Sequence, residues 1–509
     1  MKNLSAVIGL MLFGLAARAA LPQPDLIAKI YFAGAQTIAA APSANAFTNQ
    51  FTSPEALAFR TEVATKVAGW LAGWLPANLN TPVPDGAAKL RPLFDDLQQS
   101  EFLLEIRAAA GGRPEAAIAI KLAPGRAQLW QANLKPFFTQ ATFRSSAGWF
   151  IFDSAPALMG LGDKLTKELA PPPADWFNLD INWPRLAQWY PQFKELGLPE
   201  TEFGVSAAGQ QLKIGGRFHF PDNLALKLAP WQIPLNSIHS PFDSFTAVRG
   251  FSSWLPTQKW ASAYQLSPVP NQLFLWSLPG AVFPSYAAVP VPNAAAALAQ
   301  TQQHLQTALL SARSSDSLIS PVNANLNKDE LDVSGVPFAS VRARALTEPT
   351  GQFLFAELFP NPPNGLPLPP GLISRLDTKN LVFYHWESTS ERVPQLLQIT
   401  QLGLMLTKHK QLDGKSAAYR WLQKSASVKG ASETGISQSG PAEFTFLRQG
   451  PGLFTAMELF TLANWLEANN FPGFDLTQTL PLPAQDAPPP AAPAKKPAPA
   501  AAPEPKGSH

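Results

Sequence analysis

Four times along this chain an apolar strand runs through a short polar or glycine step into a segment with helical spacing. The copies are LIAKIYFAGAQTI (26–38), WFNLDINWPRLAQWY (176–190), SFTAVRGFSSWLPTQ (244–258) and LVFYHWESTSERVPQLL (381–397). Strand side chains alternate between two faces and helical ones repeat every 3.6 residues, so each change of period marks a point where the chain leaves a sheet. The elements between these units also recur in order. EFLLEIRAA (101–109) and PEAAIAIKL (114–122) flank Gly111-Gly112 as a hairpin and precede a helix over 126–134. QLFLWS (272–277) and SYAAVPV (285–291) precede an alanine-rich helix over 294–312 whose stripe is Leu298, Thr301, Leu305, Ala308 and Ala312. GWFIF (148–152) and GQFLF (351–355) come next, each followed by another strand-to-helix unit. TEFGVSA (201–207) and QLKIGGRFHF (211–220) close one series, and EFTFLR (443–448) closes the other.

Matching order predicts an α+β fold of two related halves, residues 20–240 and 241–480, each a largely antiparallel sheet covered by helices: an internal duplication. The first half adds a helix from Pro54 to Leu75, with Phe59, Val63, Val67, Trp70 and Trp74 on one face. The second ends on an apolar helix from Leu453 to Ala468. APPPAD (170–175) and PNPPNGLPLPPG (360–371) read as rigid surface loops.

The ends have a different character. Lys2, an apolar run from Leu4 to Ala17 and the small-x-small step Ala17-Arg18-Ala19 read as a secretory signal peptide, residues 1–19. No cysteine follows that step, which leaves no residue for a lipid anchor. Residues 481–509, rich in Pro and Ala, read as a disordered, extended tail. The expected location is therefore the periplasm or the outside of the cell. With no cysteine in the whole chain, disulfides, thiolate catalysis and Cys-ligated metals are excluded, and stability must come from core burial.

Charge narrows the classes further. The chain holds 39 basic and 36 acidic residues. Setting aside Lys2, Arg18, Lys495, Lys496, Lys506, Asp486 and Glu504 leaves the body with no net formal charge, so the basic balance belongs to the ends. A neutral body has no electrostatic footprint for nucleic acid. The uncharged stretch 272–292 has the hydropathy of a membrane span, but Pro279, Pro284, Pro290 and Pro292 would break a helix there. Two buried strands are expected instead, and no transmembrane helix.

His385, Glu387, Ser388, Ser390 and Arg392 form the one dense polar cluster. Alternation would place Leu381, Phe383, His385 and Glu387 on one face and Val382, Tyr384 and Trp386 on the other. The hydroxyls then fall where a helix start needs caps: Ser388 and Glu391 have capping-box spacing, with Pro394 pushing the helix start to Ser390 or beyond. The other copies of the unit carry Ala33-Gly34, Asp180 with Asn182, and Arg249 with Ser252 at this place, so a structural joint explains the cluster better than a catalytic centre. Among the remaining histidines, His219 reads as near a sheet edge, His239 as in a loop, His304 as on a solvent face and His409 as in a turn. There is no G-x-S-x-G, S-x-x-K, H-E-x-x-H or phosphate-cradling glycine loop. No catalytic residue, metal ligand or cofactor is expected, and no binding residue is singled out.

The expectation from sequence is a non-catalytic, exported cell-envelope protein that acts through protein or assembly contacts. The alternatives are a carrier of an apolar ligand or lipid, a secreted hydrolase with a site built from distant residues, and a glycan-binding protein that uses exposed tryptophan.

Overall fold

A computed structural model describes residues 25–41, 44, 52–79, 83–108, 114–168, 175–189, 194, 197–209, 211–224, 226–257, 269–280, 282–311, 323–335, 339–360, 366–367, 370–407, 416–468 and 471. The segments expected to form a leader, a tail and a turn at Gly111-Gly112 lie outside the described residues, as do His409 and most of the two proline-rich segments. Every described element belongs to one unit within residues 1–474.

The fold is mostly antiparallel sheet with helices packed on it, an α+β architecture. A first run of strands comprises β1 (Leu26–Phe32), β2 (Phe102–Ala108), β3 (Pro114–Ile120), β4 (Thr142–Ser146), β5 (Trp149–Asp153), β6 (Phe177–Ile181), β7 (Glu200–Ala208) and β8 (Gln211–His219). They lie side by side as β4-β5-β3-β2-β1-β6-β7-β8, every pair antiparallel. The next strand, β9 (His239–Ser240), is a two-residue bridge. The second run comprises β10 (Ser244–Arg249), β11 (Gln272–Ser277), β12 (Ser285–Val291), β13 (Asn323–Asn327), β14 (Glu330–Ser334), β15 (Val341–Glu348) and β16 (Gly351–Leu358), then β17 (Leu366–Pro367), which pairs with β9, and β18 (Leu381–Ser388), β19 (Ala431–Gln438) and β20 (Glu443–Gly450). Its order is β13-β14-β15-β16-β12-β11-β10-β18-β19-β20, again antiparallel throughout.

From β15 to β20 the second run repeats the connections of the first, strand for strand, with the β13–β14 hairpin added at its outer edge. Some registers match in detail. Asn182 N–H donates to Ile27 C=O at 2.8 Å, and Ser388 N–H donates to Asp243 C=O at 2.8 Å. Gly34 and Gly250 follow β1 and β10 at φ 86° and 90°, a backbone region open to glycine. Arg144 bridges buried Asp153 across β4 and β5, and Arg344 bridges buried Glu357 across β15 and β16. The two runs are one sheet of eighteen strands rather than a sheet for each half, because β8 pairs with β20, with Gly215 opposite Leu447. Both strands alternate buried and exposed side chains, so pairing them extends one buried face without a break.

The helices among the described residues are α1 (Ala35–Ala39), α2 (Pro54–Leu79), α3 (Gly86–Leu97), α4 (Arg126–Leu134), α5 (Leu161–Glu168), α6 (Trp183–Trp189), α7 (Ala294–Ser311), α8 (Pro370–Leu376), α9 (Thr389–Thr407), α10 (Ala417–Ser425) and α11 (Ala456–Glu467). On one face of the sheet, the back, α3 and α4 bury Leu90, Leu93 and Trp130 against Ile118, Ile120, Phe150 and Phe152. α2, α9, α10 and α11 share a core of their own in which the Phe59 and Trp421 rings stack at 4.4 Å, and α7 lies over β15 and β16. On the front, α5 covers Tyr31, Leu103 and Ile151, while α8 and residues 231–242 cover Phe245, Phe274, Trp276 and Phe355.

Several expectations change. In α2 the buried stripe is Ala56, Phe59, Ala64 and Ala68, and Trp70 is 37% exposed, because small residues let this helix approach its neighbours closely. α9 begins at Thr389 with Pro394 inside it. Pro394 is exposed, and the helix tolerates the lost N–H there. The Ser388 hydroxyl meets that of Ser390 at 3.2 Å, and a capping box forms instead at Thr455 and Glu458. A bulge between Leu381 and Phe383 moves Leu381 to the Tyr384 face and Val382 to the other. Residues 360–371 include β17 and the start of α8. His219 is in the middle of the sheet, because β8 is the strand that joins the two runs.

Candidate functional site

His385 lies on the back of β18 between Thr246 of β10 and Thr434 of β19, its cross-strand neighbours. Its Nδ1 is 2.7 Å from Thr246 Oγ1 and its Nε2 is 3.3 Å from Glu387 Oε2. Glu387 is 2% exposed and accepts from Thr389 Oγ1 at 2.9 Å and from the Ala456 N–H at 2.7 Å. Burial alone would push its carboxyl up; the His385 bond and charge, with these donors, hold it below the usual range. Glu387 thus ties β18 to the first turns of α9 and α11.

A second group adjoins it. Ser244, Ser277 and Ser285 stand in register on three neighbouring strands, with hydroxyls 3.3 and 3.4 Å apart. Arg392 Nη1 donates to Ser277 Oγ and to Gln395 Oε1, both at 3.1 Å, and the guanidinium lies 4.6 Å from the centre of the Phe283 ring. Gln395 Nε2 donates to buried Asp243, whose carboxyl burial pushes up. A third group, Arg448 and Glu458, forms a bidentate buried ion pair at 2.6 and 2.7 Å that anchors α11 to β20.

At the matching registers of the first run, the positions of Asp243, Ser244, Thr246, Ser277, His385 and Glu387 are held by Ile27, Ala28, Ile30, Ile106, Leu179 and Ile181. Leu186 stands four residues past Asn182 as Arg392 stands four past Ser388. The strand order therefore tolerates apolar residues at all these places. On the front the contrast reverses. Lys29, Glu105 and Asp180 match Phe245, Trp276 and Trp386. Each half thus buries on one face the kind of side chain that its counterpart carries on the other.

The front carries a cross-strand row of charge: Glu105, Lys29, Asp180, Glu202 and Arg217 on β2, β1, β6, β7 and β8. Lys29 Nζ is 3.2 Å from Glu105 Oε1. Asp180 and Glu202 are directly opposite one another, and Asn182 Nδ2 binds nearby Glu200. Burial, then the charge of Glu200, pushes the Asp180 carboxyl up to about 6. Burial, then the charge of Asp180, pushes that of Glu202 up to about 7. Among the described residues no three His, Asp or Glu side chains are grouped so as to hold a metal ion.

Thr246, His385 and Glu387 follow the order of a nucleophile, a base and an orienting acid. However, Thr246 lies mid-strand between β11 and β18, where backbone amides are spent on the two ladders and offer no oxyanion hole. Of the other histidines, His219 meets Glu443 at 3.7 Å on the surface, His239 is paired with Pro367 in β9, and His304 is half-buried on α7. Sequence reasoning named His385, Glu387 and Arg392 but missed the serine row, the approach of Asp243 to Gln395 and the pairing of Asp180 with Glu202, whose neighbours come from elements far apart in the chain. Among the described residues no helix is long and apolar enough to cross a membrane. No protein-family model, curated protein or solved structure matches this chain.

Proposed function

We propose that this chain is an exported, non-catalytic protein of the cell envelope, built by copying one α+β unit, which holds a partner protein against the open middle of its sheet. One observation carries the reading. At β5 the sheet is covered on both faces, as its unbroken burial shows. At the β8–β20 junction it is covered on the back alone: Lys213, Arg217, Thr445 and Leu447 are exposed on the front while Ile214, Phe218 and Phe446 are buried behind. Leu447, 45% exposed, gives that window an apolar centre with charge around it, the composition of a protein-binding surface. Asp180, Glu200 and Glu202 on its β1 side favour a partner that presents lysine or arginine. The leader-like residues 1–19 support export, and the repeated strand order supports the copying.

The test is photo-cross-linking in the native envelope from residues 217 and 447, with exposed Leu57 as control. A single partner should be captured from both front positions and not from Leu57. Its yield should rise from about pH 5 to about pH 8, because a cationic partner displaces the protons held by Asp180 and Glu202. It should also drop in the Asp180→Asn/Glu202→Gln double variant. Equal labelling from all three positions would refute the reading.

A further inference from the structure

We propose that the back of β10, β11 and β12 binds a long-chain carboxylate, its head on Arg392 and its chain along the strands toward Val248 and Val289. The site lies on the face opposite the protein-binding window and stands independently of it.

The floor comes from register. Thr246 and Val248 on β10 pair with Leu275 and Leu273 on β11, and Leu275 pairs with Ala287 on β12, so these side chains share the back face with Val289. α9 flanks this strip on β18, and α7 covers the sheet from β16 outward. Between them the floor is left half-buried, with Leu275 39% exposed. Three strands about 4.8 Å apart make a lane the width of one hydrocarbon chain and its contacts. Apart from Thr246, which is bonded to His385, its polar groups gather at one end, where Ser277 and Ser285 replace the aliphatic residues and Arg392 reaches over from α9.

The guanidinium identifies the head group. Nη1 is committed to Ser277 and Gln395, whereas Nε and Nη2 make no hydrogen bond with any described residue, and Arg392 forms no salt bridge among them. Those two nitrogens are the parallel fork that takes both oxygens of a carboxylate. The Phe283 ring covers one face of the plane and fixes the direction in which the fork points. Two acids face this region. Asp243 is bound to Gln395, and Glu387 is bound to His385, Thr389 and the Ala456 N–H, so neither occupies the fork. Leu186 at the matching place in the first half shows that the joint itself needs no cation.

The test is titration of the intact protein with dodecanoate, with dodecanol and butyrate as probes lacking the charge or the chain. Dodecanoate should bind saturably, and each of the other probes at least about tenfold more weakly. Arg392→Gln should cost dodecanoate at least about tenfold and leave dodecanol unchanged. Leu275→Glu, at an exposed position, should abolish dodecanoate binding with an unaltered melting profile. No saturable binding up to about 1 mM, or equal affinity in the wild type and Arg392→Gln, would overturn the proposal. Cross-linking from residues 217 and 447 should be the same with and without dodecanoate, so each reading can fail alone.

Discussion

Asp180 and Glu202 face each other across β6 and β7 with Glu200 beside them, and like charges directly opposite are destabilising. Their carboxyl pKa values are raised to about 6 and about 7, so the folded chain keeps protons that the unfolded chain gives up near pH 4. Stability from this source is intact below pH 4 and is lost as pH climbs through 6 and 7. Glu202→Gln mimics the protonated acid. It should stabilise the protein at pH 8 by about 1 kcal/mol, a value discounted for partial exposure, and change nothing at pH 4. Thermal melts at the two pH values check this, and a gain confined to pH 4 would contradict it. Removing the acid has the opposite effect on stability at the Arg448–Glu458 ion pair. Glu458→Leu leaves a buried guanidinium unpaired and should cost about 3–5 kcal/mol in urea unfolding, most of it recovered in the double variant with Arg448→Met.

At the scale of elements, α11 depends on its start. Thr455→Ala removes the hydroxyl that accepts from the Glu458 N–H and should cost about 1 kcal/mol, read in the same denaturation experiment. Local pattern was readable in the sequence wherever strand alternation gave way to helical period. The bounds of β11 and β12 and of the helix over 126–134 follow the sequence expectation residue for residue, because each is bracketed by glycine, proline or a change of period. The bulge at Leu381 was not readable: it shifts a side chain to the other face through pairing with β19, some fifty residues on. Nor was the true face of α2, since Ala64 and Ala68 carry no hydrophobic signal beside Trp70 and Trp74 yet are the residues the neighbouring helices need. His385, placed by the sequence pattern at a joint between strand and helix, bonds Thr246 on β10 and Glu387 on its own strand. The partners that saturate Glu387 come from α9 and α11, and the second of these lies far beyond any local window.

For the whole molecule, the recurrence of elements along the chain was legible, while their order in the sheet and the union of the two runs were not. Nothing local in QLKIGGRFHF or EFTFLR says that one will pair with the other, because the pairing spans more than two hundred residues. The junction carries a prediction of its own. Gly215 and Leu447 occupy matching places in their runs and lie opposite each other, so a chain ending near residue 224 should pair β8 with β8 of a second copy about Gly215. Light scattering should find that fragment dimeric, and Ile214→Lys should render it monomeric by placing charge in the new core. A fragment that stays monomeric with β8 exposed would speak against the matching of the two runs.

The pairing of β8 with β20 also sets a timetable. β8 is complete at residue 219, yet the strand that shields its edge begins at residue 443. Through nearly half of synthesis, a strand carrying Ile214 and Phe218 waits with the backbone groups of its outer edge unclaimed, the condition that favours aggregation. Arrest of elongation anywhere in that interval should therefore leave nascent chains sticky, and a holding chaperone would be needed most just before the final hairpin emerges.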